Sequence, residues 1–325
     1  MPAEVISPPT ALFSISLEMI EPGDLLPCDL WLRPANGDPV LYRAAHLPFL
    51  REHLERLEQS GVEVLHIAFE DAAAWSDFVA ERLKSRILDP NRPIEERVDE
   101  LLSSSRAMMR EVFDDPRGPG VRRTIEHLGD AVNRLIAEPG AFHSAVRLME
   151  HDYYTYTHCF HVSVYSVGLG RAAGIDDENY LTSLGQGGLI HDVGKTSLPA
   201  SLINKPGRLT DNEFRLMKTH PEQGIVLLDE MNWRDPIVRD VTLSHHERLD
   251  GSGYPRGLKG DSVTVAARIS AICDAFDAMT TDRSYSRGMS SLEALKILRG
   301  AHGRRYDQRL LETFIRMLLD PEKQA

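Results

Sequence analysis

Residues 184–195 read LGQGGLIHDVGK and residues 244–261 read SHHERLDGSGYPRGLKGD. In the first stretch an apolar helix ends in His191-Asp192, with Gly194 and Lys195 behind it. The small residues Gly185, Gly187 and Gly188 allow another helix to pack closely against it. A His-Asp pair at a helix end can serve as a simple cap, so this stretch alone leaves a structural and a metal-binding reading open. The second stretch narrows the choice. An apolar helix from Ile237 to Ser244 ends in the adjacent His245 and His246 and runs into a glycine-rich loop. A solvated helix end does not account for so polar a cluster closing so apolar a helix.

Outward from these stretches, residues 267–283 read ARISAICDAFDAMTTDR. The apolar helix expected from Val263 to Met279 carries Asp274 and Asp277, three residues apart, on roughly one face. A buried carboxylate is costly unless paired or bound to metal. Asp274 is therefore expected to be a ligand and Asp277 its support. His220, in LMKTHPEQG, reads by itself as a turn before proline, and His158, in YTYTHCFHVSVYSV, competes with His161. Taken together, His158, His191, His220, His245 and His246 with Asp192 and Asp274 supply five imidazoles and two carboxylates. That set suits a pair of borderline divalent metals with one carboxylate shared between them. The other histidines (His46, His53, His66, His127, His143, His151 and His302) lack a ligand-like context and read as surface or packing residues.

The remaining chain sets bounds. Its 325 residues, 42% hydrophobic and 26% charged, suit one large soluble domain or two modest ones. The formal net charge of -12 argues against a DNA or RNA polymer as partner, since such binding needs Lys and Arg to neutralise phosphates. It leaves room for one small anionic ligand where cations or metals reverse the field locally. Cys28, Cys159 and Cys273 are far apart and form no CxxC pair, which excludes a disulfide framework and a zinc ribbon. Cys159 and Cys273 adjoin ligand positions, but neighbouring helical residues point about 100° apart, so both read as small core residues. No basic-then-apolar leader opens the chain, and no apolar run approaches the roughly 20 residues that span a bilayer. A cytoplasmic protein without a membrane partner is expected.

The fold class read from patterning is mainly α, a helical bundle with a small N-terminal α+β module. Residues 1–70 form that module: strands in ALFSISLEM, CDLWLRP, DPVLYRA and VEVLHIAF, and a helix from Leu47 to Ser60 closed by Gly61. Residues 71–139 form a helical connector, with helices across 70–87, 93–113 and 118–137 broken at Asp89-Pro90 and Asp115-Pro116. Their amphipathic faces are expected to pack on the chain's own core, with a homodimer seam as the alternative. Residues 140–325 form the bundle, where Thr210–Glu213 and Ser290–Glu293 resemble capping boxes.

HDVGK at 191–195 with HHERLDGSGYP at 245–255 resembles the HD-GYP subgroup of the HD-domain phosphohydrolases. The resemblance runs across roughly 150–320 and includes LINKPGRLT, KTHPEQG and DAFDAMTTDRSY in the same order. It implies a helical HD-domain bundle with metals at its centre. It also implies a metal-dependent phosphodiesterase that hydrolyses a cyclic dinucleotide, cyclic di-GMP first, to linear pGpG, with the further step to GMP left open. By position, the metal ligands are His158, His191, Asp192, His220, His245, His246 and Asp274, with Asp192 as the catalytic bridge. Lys195 stands by the scissile phosphate, and Tyr254 and Arg283 contact the substrate. Members with three metals carry a Glu one helical turn before the first His; here Tyr154 stands there, or Thr157 counted from His161. Two metals are therefore expected, iron first and manganese next, with zinc or cobalt chemically acceptable. Ser286 replaces the family's basic residue after DRxY, leaving Arg287 one place later as a candidate substrate contact. The first 70 residues look similar to a small domain often found ahead of HD-GYP domains, which implies regulation or assembly and admits cyclase or other signalling partners. Two rivals stand beside this reading. One is a broader HD phosphohydrolase acting on mononucleotides, against which the GYP loop argues. The other is a sensor or scaffold that binds cyclic di-GMP or a cyclase without cutting, against which the intact ligands argue.

Overall fold

The computed structural model describes residues 8–34, 37–149, 155–282, 288–300 and 304–319. At the N-terminal end, β1 (Leu12–Ser16), β2 (Leu30–Leu32), β3 (Val40–Arg43) and β4 (Val64–Ala68) form an antiparallel sheet in the order β1-β4-β2-β3. The last strand in sequence thus lies inside the sheet. Its Leu65 and Ile67 are fully buried, as an inner strand with one core-facing side requires. Helix α1 (Arg51–Gln59) precedes β4, and Gly61, at φ +68, makes the left-handed turn between them.

Three helices follow close to their expected spans: α2 (Ala72–Ile87), α3 (Ile94–Asp114) and α4 (Val121–Ile136). Their apolar faces pack on the chain itself, α2 against α3 and α4, and α3 against β1. Ion pairs from Arg82 to Asp24 (2.5 Å) and from Arg86 to Glu21 (2.5 Å) fasten α2 to the N-terminal module. A short helix the patterning did not anticipate, α5 (Ala141–Leu148), turns the chain into the bundle.

The bundle is built on α6 (Thr155–Ala172) and α7 (Glu178–Ile190). Residues His158 to Gly170 of α6 are all buried, the mark of a helix enclosed on every side. Helix α7 lies against α6, α4 and α11 (Pro236–Ser244). A Cβ at Gly188 would come within 2.7 Å of the Ser163 backbone on α6, and one at Gly187 within 2.8 Å of Val241 on α11. Both contacts require glycine.

Between α7 and α11 run α8 (Ala200–Ile203), α9 (Asp211–Met217) and α10 (His220–Glu230), and after α11 come α12 (Val265–Thr280), α13 (Ser291–Arg299) and α14 (Gln308–Leu319). Both expected capping boxes are present, Thr210 with Glu213 at α9 and Ser290 with Glu293 at α13. Cys28, Cys159 and Cys273 are buried free thiols. No described helix is long and apolar enough to cross a membrane.

Candidate metal centre

The C-terminal ends of α7 and α11 and the N-terminal end of α10 meet the first turn of α6 and the middle of α12, and each delivers polar residues to one point. His191 caps α7, Asp192 follows it, His220 opens α10, and His245 caps α11 with His246 next. His158 comes from α6 and Asp274 from α12. All are buried except His246, which is partly exposed. The meeting is tight: a Cβ on Gly194 would lie 1.9 Å from the His220 carbonyl oxygen and 2.4 Å from the Gly224 amide.

Two ligand-competent groups result. His158, His191 and Asp192 form one; Asp192, His220, His245 and His246 form the other. In each, one donor atom per residue lies within 4.8 Å of the rest, and Asp192 belongs to both. Asp274 closes the space between them, with Oδ1 3.2 Å from His158 Nε2 and Oδ2 3.5 Å from His246 Nδ1.

The imidazoles are oriented from behind. His191 Nδ1 lies 2.8 Å from the Gly188 carbonyl, His220 Nδ1 2.9 Å from the Met217 carbonyl, and His245 Nδ1 3.0 Å from the Thr242 carbonyl. A carbonyl only accepts, so each Nδ1 carries the proton and each Nε2 turns a lone pair inward. His158 Nδ1 does the same toward Asp277 Oδ2 at 2.7 Å. Asp277 also holds His161 Nδ1 at 3.0 Å, which separates the two competing histidines: His158 faces the centre, and His161 braces the carboxylate behind it.

The electrostatics point the same way. Burial alone would raise the Asp192 carboxyl, but Lys195, His191 and His220 outweigh it and hold the group well below the ordinary carboxylate range. Asp274 is likewise held far down against burial by His158 and His246, and Asp277 by His161 and His158. Burial pulls His191, His245 and His246 below the ordinary imidazole range, while the neighbouring carboxylates of Asp192 and Asp274 pull the other way. Three carboxylates therefore stand ionised in a buried site, with Lys195 Nζ 2.5 Å from Asp192 Oδ2. His191 Nε2 and Asp192 Oδ1 are buried with no hydrogen-bond partner. Orphaned acceptors around uncompensated negative charge fit divalent cations, and the nitrogen and oxygen donors without sulfur suit first-row metals.

Above this centre the loop 247–260 is pinned from inside. Glu247, 1% exposed, accepts hydrogen bonds from the Arg256 and Leu258 amides at 2.7 and 2.8 Å. The Tyr254 ring lies over His246 at 4.6 Å. Glu247 was not singled out in the sequence, although it belongs to the same polar run after the apolar helix. Arg283, Arg287, Ser286, Tyr154, His151 and His302 lie outside the described residues.

Comparison with known proteins agrees with this geometry. Residues 150–310 match the HD domain family. Over 307 residues the chain is 33% identical to a cyclic di-GMP phosphodiesterase of Pseudomonas aeruginosa, covering 89% of this chain and 72% of that protein. The chain belongs to the HD-GYP family. Other relatives match only in part. The cyclic di-GMP phosphodiesterase response regulator RpfG of Xanthomonas campestris is 41% identical over 128 residues, 39% of this chain and 34% of its own. A 3'3'-cGAMP-specific phosphodiesterase of Vibrio cholerae is 37% identical over 150 residues, 45% of this chain and 33% of its own. In fold, an HDG"Y"P protein from Bdellovibrio bacteriovorus superposes with a TM-score of 0.65 over 95% of this chain and 99% of its own, at 21% identity.

Proposed function

We propose that this chain is a metal-dependent phosphodiesterase that hydrolyses a cyclic dinucleotide, cyclic di-GMP first, to linear pGpG, with the further step to GMP left open. The observation that carries the reading is the pair of ligand groups sharing Asp192. The Pseudomonas relative, named for the same activity and matched over most of both chains, supports the substrate class.

In this reading His158, His191, Asp192, His220, His245, His246 and Asp274 hold two divalent transition metals, iron first and manganese next. When bound, such metals supply Lewis acidity toward a phosphodiester and lower the pKa of a water. The protein's own part is positional. Asp192 is the shared ligand and, with Lys195, the catalytic pair. Lys195, partly exposed beside it, offers its ammonium to the phosphate. Tyr254 contacts the substrate from the loop, and Arg283 and Arg287 remain proposed contacts on the sequence alone. Tyr154, where three-metal members carry Glu, supports two metals. Residues 1–70 serve as a regulatory or assembly module, 71–139 as connector and 140–325 as the catalytic domain, working in the cytoplasm, where cyclase or other signalling partners and a homodimer are compatible with the reading.

The test is direct. The protein is purified without chelator, its metal quantified, and each metal-loaded form incubated with cyclic di-GMP and cyclic GMP-AMP beside an Asp192→Ala control. Linear product that needs both metal and Asp192 is expected. Tight binding without product, under reducing and oxidising conditions alike, overturns the enzyme and leaves a sensor.

A further inference from the structure

Helix α9 carries a large apolar ring that the protein does not cover. Phe214 is 47% exposed. Its ring centroid lies 6.5 Å from that of Tyr254, with the planes at 81°, so the two rings meet at a corner. The Tyr254 ring is already packed against His246 at 4.6 Å, and its centroid is 6.4 Å from that of His220. The corner therefore stands directly beside the metal centre. Lys218 Nζ lies 5.1 Å from the Phe214 centroid and 5.9 Å from that of Tyr254. No carboxylate pairs with Lys218 among the described residues. The helix is held in place: Glu213 caps it through Thr210, at 2.7 Å from the Thr210 amide, and meets Lys205 Nζ at 2.6 Å.

We infer that Phe214 and Lys218 form, with Tyr254, the seat for one purine base of the cyclic dinucleotide. This rests on the phosphodiesterase reading above. A planar base laid on one ring of the corner presents its edge to the other, the perpendicular arrangement aromatic pairs favour. Lys218 supplies a cation for an anionic ligand that carries its bases a few ångströms from its phosphates. An exposed phenylalanine alone needs no explanation. One set at a right angle to a tyrosine, under an ammonium that pairs with no carboxylate among the described residues and beside a metal centre, has the makings of a nucleobase platform.

The test uses the full chain and a cyclic dinucleotide in which one guanine is replaced by 2-aminopurine, whose fluorescence is quenched on stacking. Phe214→Leu keeps apolar bulk and removes the ring; Phe214→Tyr restores it. Quenching is expected in the wild type and Phe214→Tyr and lost in Phe214→Leu. The KM for cyclic di-GMP should rise roughly tenfold in Phe214→Leu with kcat held within about threefold, the signature of lost base stacking. Lys218→Gln should raise KM and flatten its salt dependence. Unchanged quenching and KM in Phe214→Leu overturn the base seat while leaving the enzyme intact. Ring-dependent quenching in a protein that cuts nothing overturns the enzyme reading and keeps the seat.

Discussion

His220 Nε2 and His245 Nε2 face each other at 3.1 Å, although both rings have committed their Nδ1 protons to backbone carbonyls. Two lone pairs are thus aimed at one point in a buried site, beside Asp192 Oδ1 at 3.2 Å from His220 Nε2. Two acceptor nitrogens at that distance repel each other unless a metal ion or a proton lies between them. The protein should therefore be measurably less stable without metal. At a hundredfold excess over Kd, binding to the folded state alone contributes about 2.7 kcal/mol. For a chain of this length that is roughly 5 °C in Tm. Differential scanning fluorimetry with chelator and with added manganese or iron checks this. A Tm that ignores metal would mean the centre tolerates its bare lone pairs.

Asp277 touches no reacting group, yet it fixes the ring of His158 through a 2.7 Å hydrogen bond. Asp277→Asn keeps the shape and removes the charge that orients both His158 and His161. Metal affinity should fall roughly 10- to 100-fold, as for other carboxylates behind ligating histidines. Activity should return at high metal concentration, because the ligands themselves remain. Equilibrium dialysis gives the affinity; loss of turnover that excess metal does not rescue would assign Asp277 a direct role.

Gly194 lies where α10 crosses the turn after Asp192. Its missing side chain is a geometric necessity, since a Cβ would sit 1.9 Å from the His220 carbonyl oxygen. Gly194→Ala must push two backbone segments apart, and overpacking of this kind costs about 2 kcal/mol or more. His220 is the residue displaced, so metal affinity and thermal stability should fall together. A variant with wild-type Tm and metal content would show that the crossing yields at no cost.

Glu247 decides the shape of the loop that carries Tyr254. It accepts from two loop amides at once, at 2.7 and 2.8 Å. Glu247→Gln turns one acceptor into a donor facing a donor, a loss of about 1–3 kcal/mol. The Arg256 and Leu258 amides should exchange faster with deuterium, and KM should rise more than kcat falls. Unchanged protection at both amides would remove Glu247 from this role.

How far the sequence carried the reading depends on what each residue had to reveal. Helix spans in the bundle were legible because caps and apolar periodicity act within one turn, as at Thr210 and Glu213. The residues that meet at the centre were legible because polar residues closing apolar helices are costly without a purpose. The choice between His158 and His161 was not, because both lie on α6 and both hydrogen bond Asp277; only the position of α12 decides which ring faces the centre. The inner place of β4 was hidden too, since strand order depends on contacts far apart in sequence. Phe214 carried no signal, for an exposed ring looks like any other until Tyr254 is seen beside it.

Glu111 ties the connector to the N-terminal sheet, and its titration should be visible in stability. Its Oε1 accepts from the Ser16 amide of the edge strand β1 at 2.8 Å. Burial, with Asp114 adding to it, pushes the carboxyl from its ordinary 4.5 up to about 8 against that hydrogen bond. Below pH 4.5 the group is neutral in both folded and unfolded chains and contributes no pH dependence. Between 4.5 and about 8 the unfolded chain gives up its proton while the folded chain keeps it, so stability falls as pH rises. Above about 8 both states are ionised and the loss is complete. One pH unit corresponds to about 1.4 kcal/mol. Part of the side chain still meets solvent in a cavity of about 940 Å³ beside β1, so a loss on the order of 2 kcal/mol is expected once screening is discounted. Glu111→Gln keeps an acceptor for the Ser16 amide and removes the titration. Urea denaturation from pH 5 to 9 should show a flatter profile for the variant, with its advantage growing toward pH 9. Parallel profiles would mean that the carboxyl is solvated in the folded chain and that β1 and α3 are not coupled through its proton.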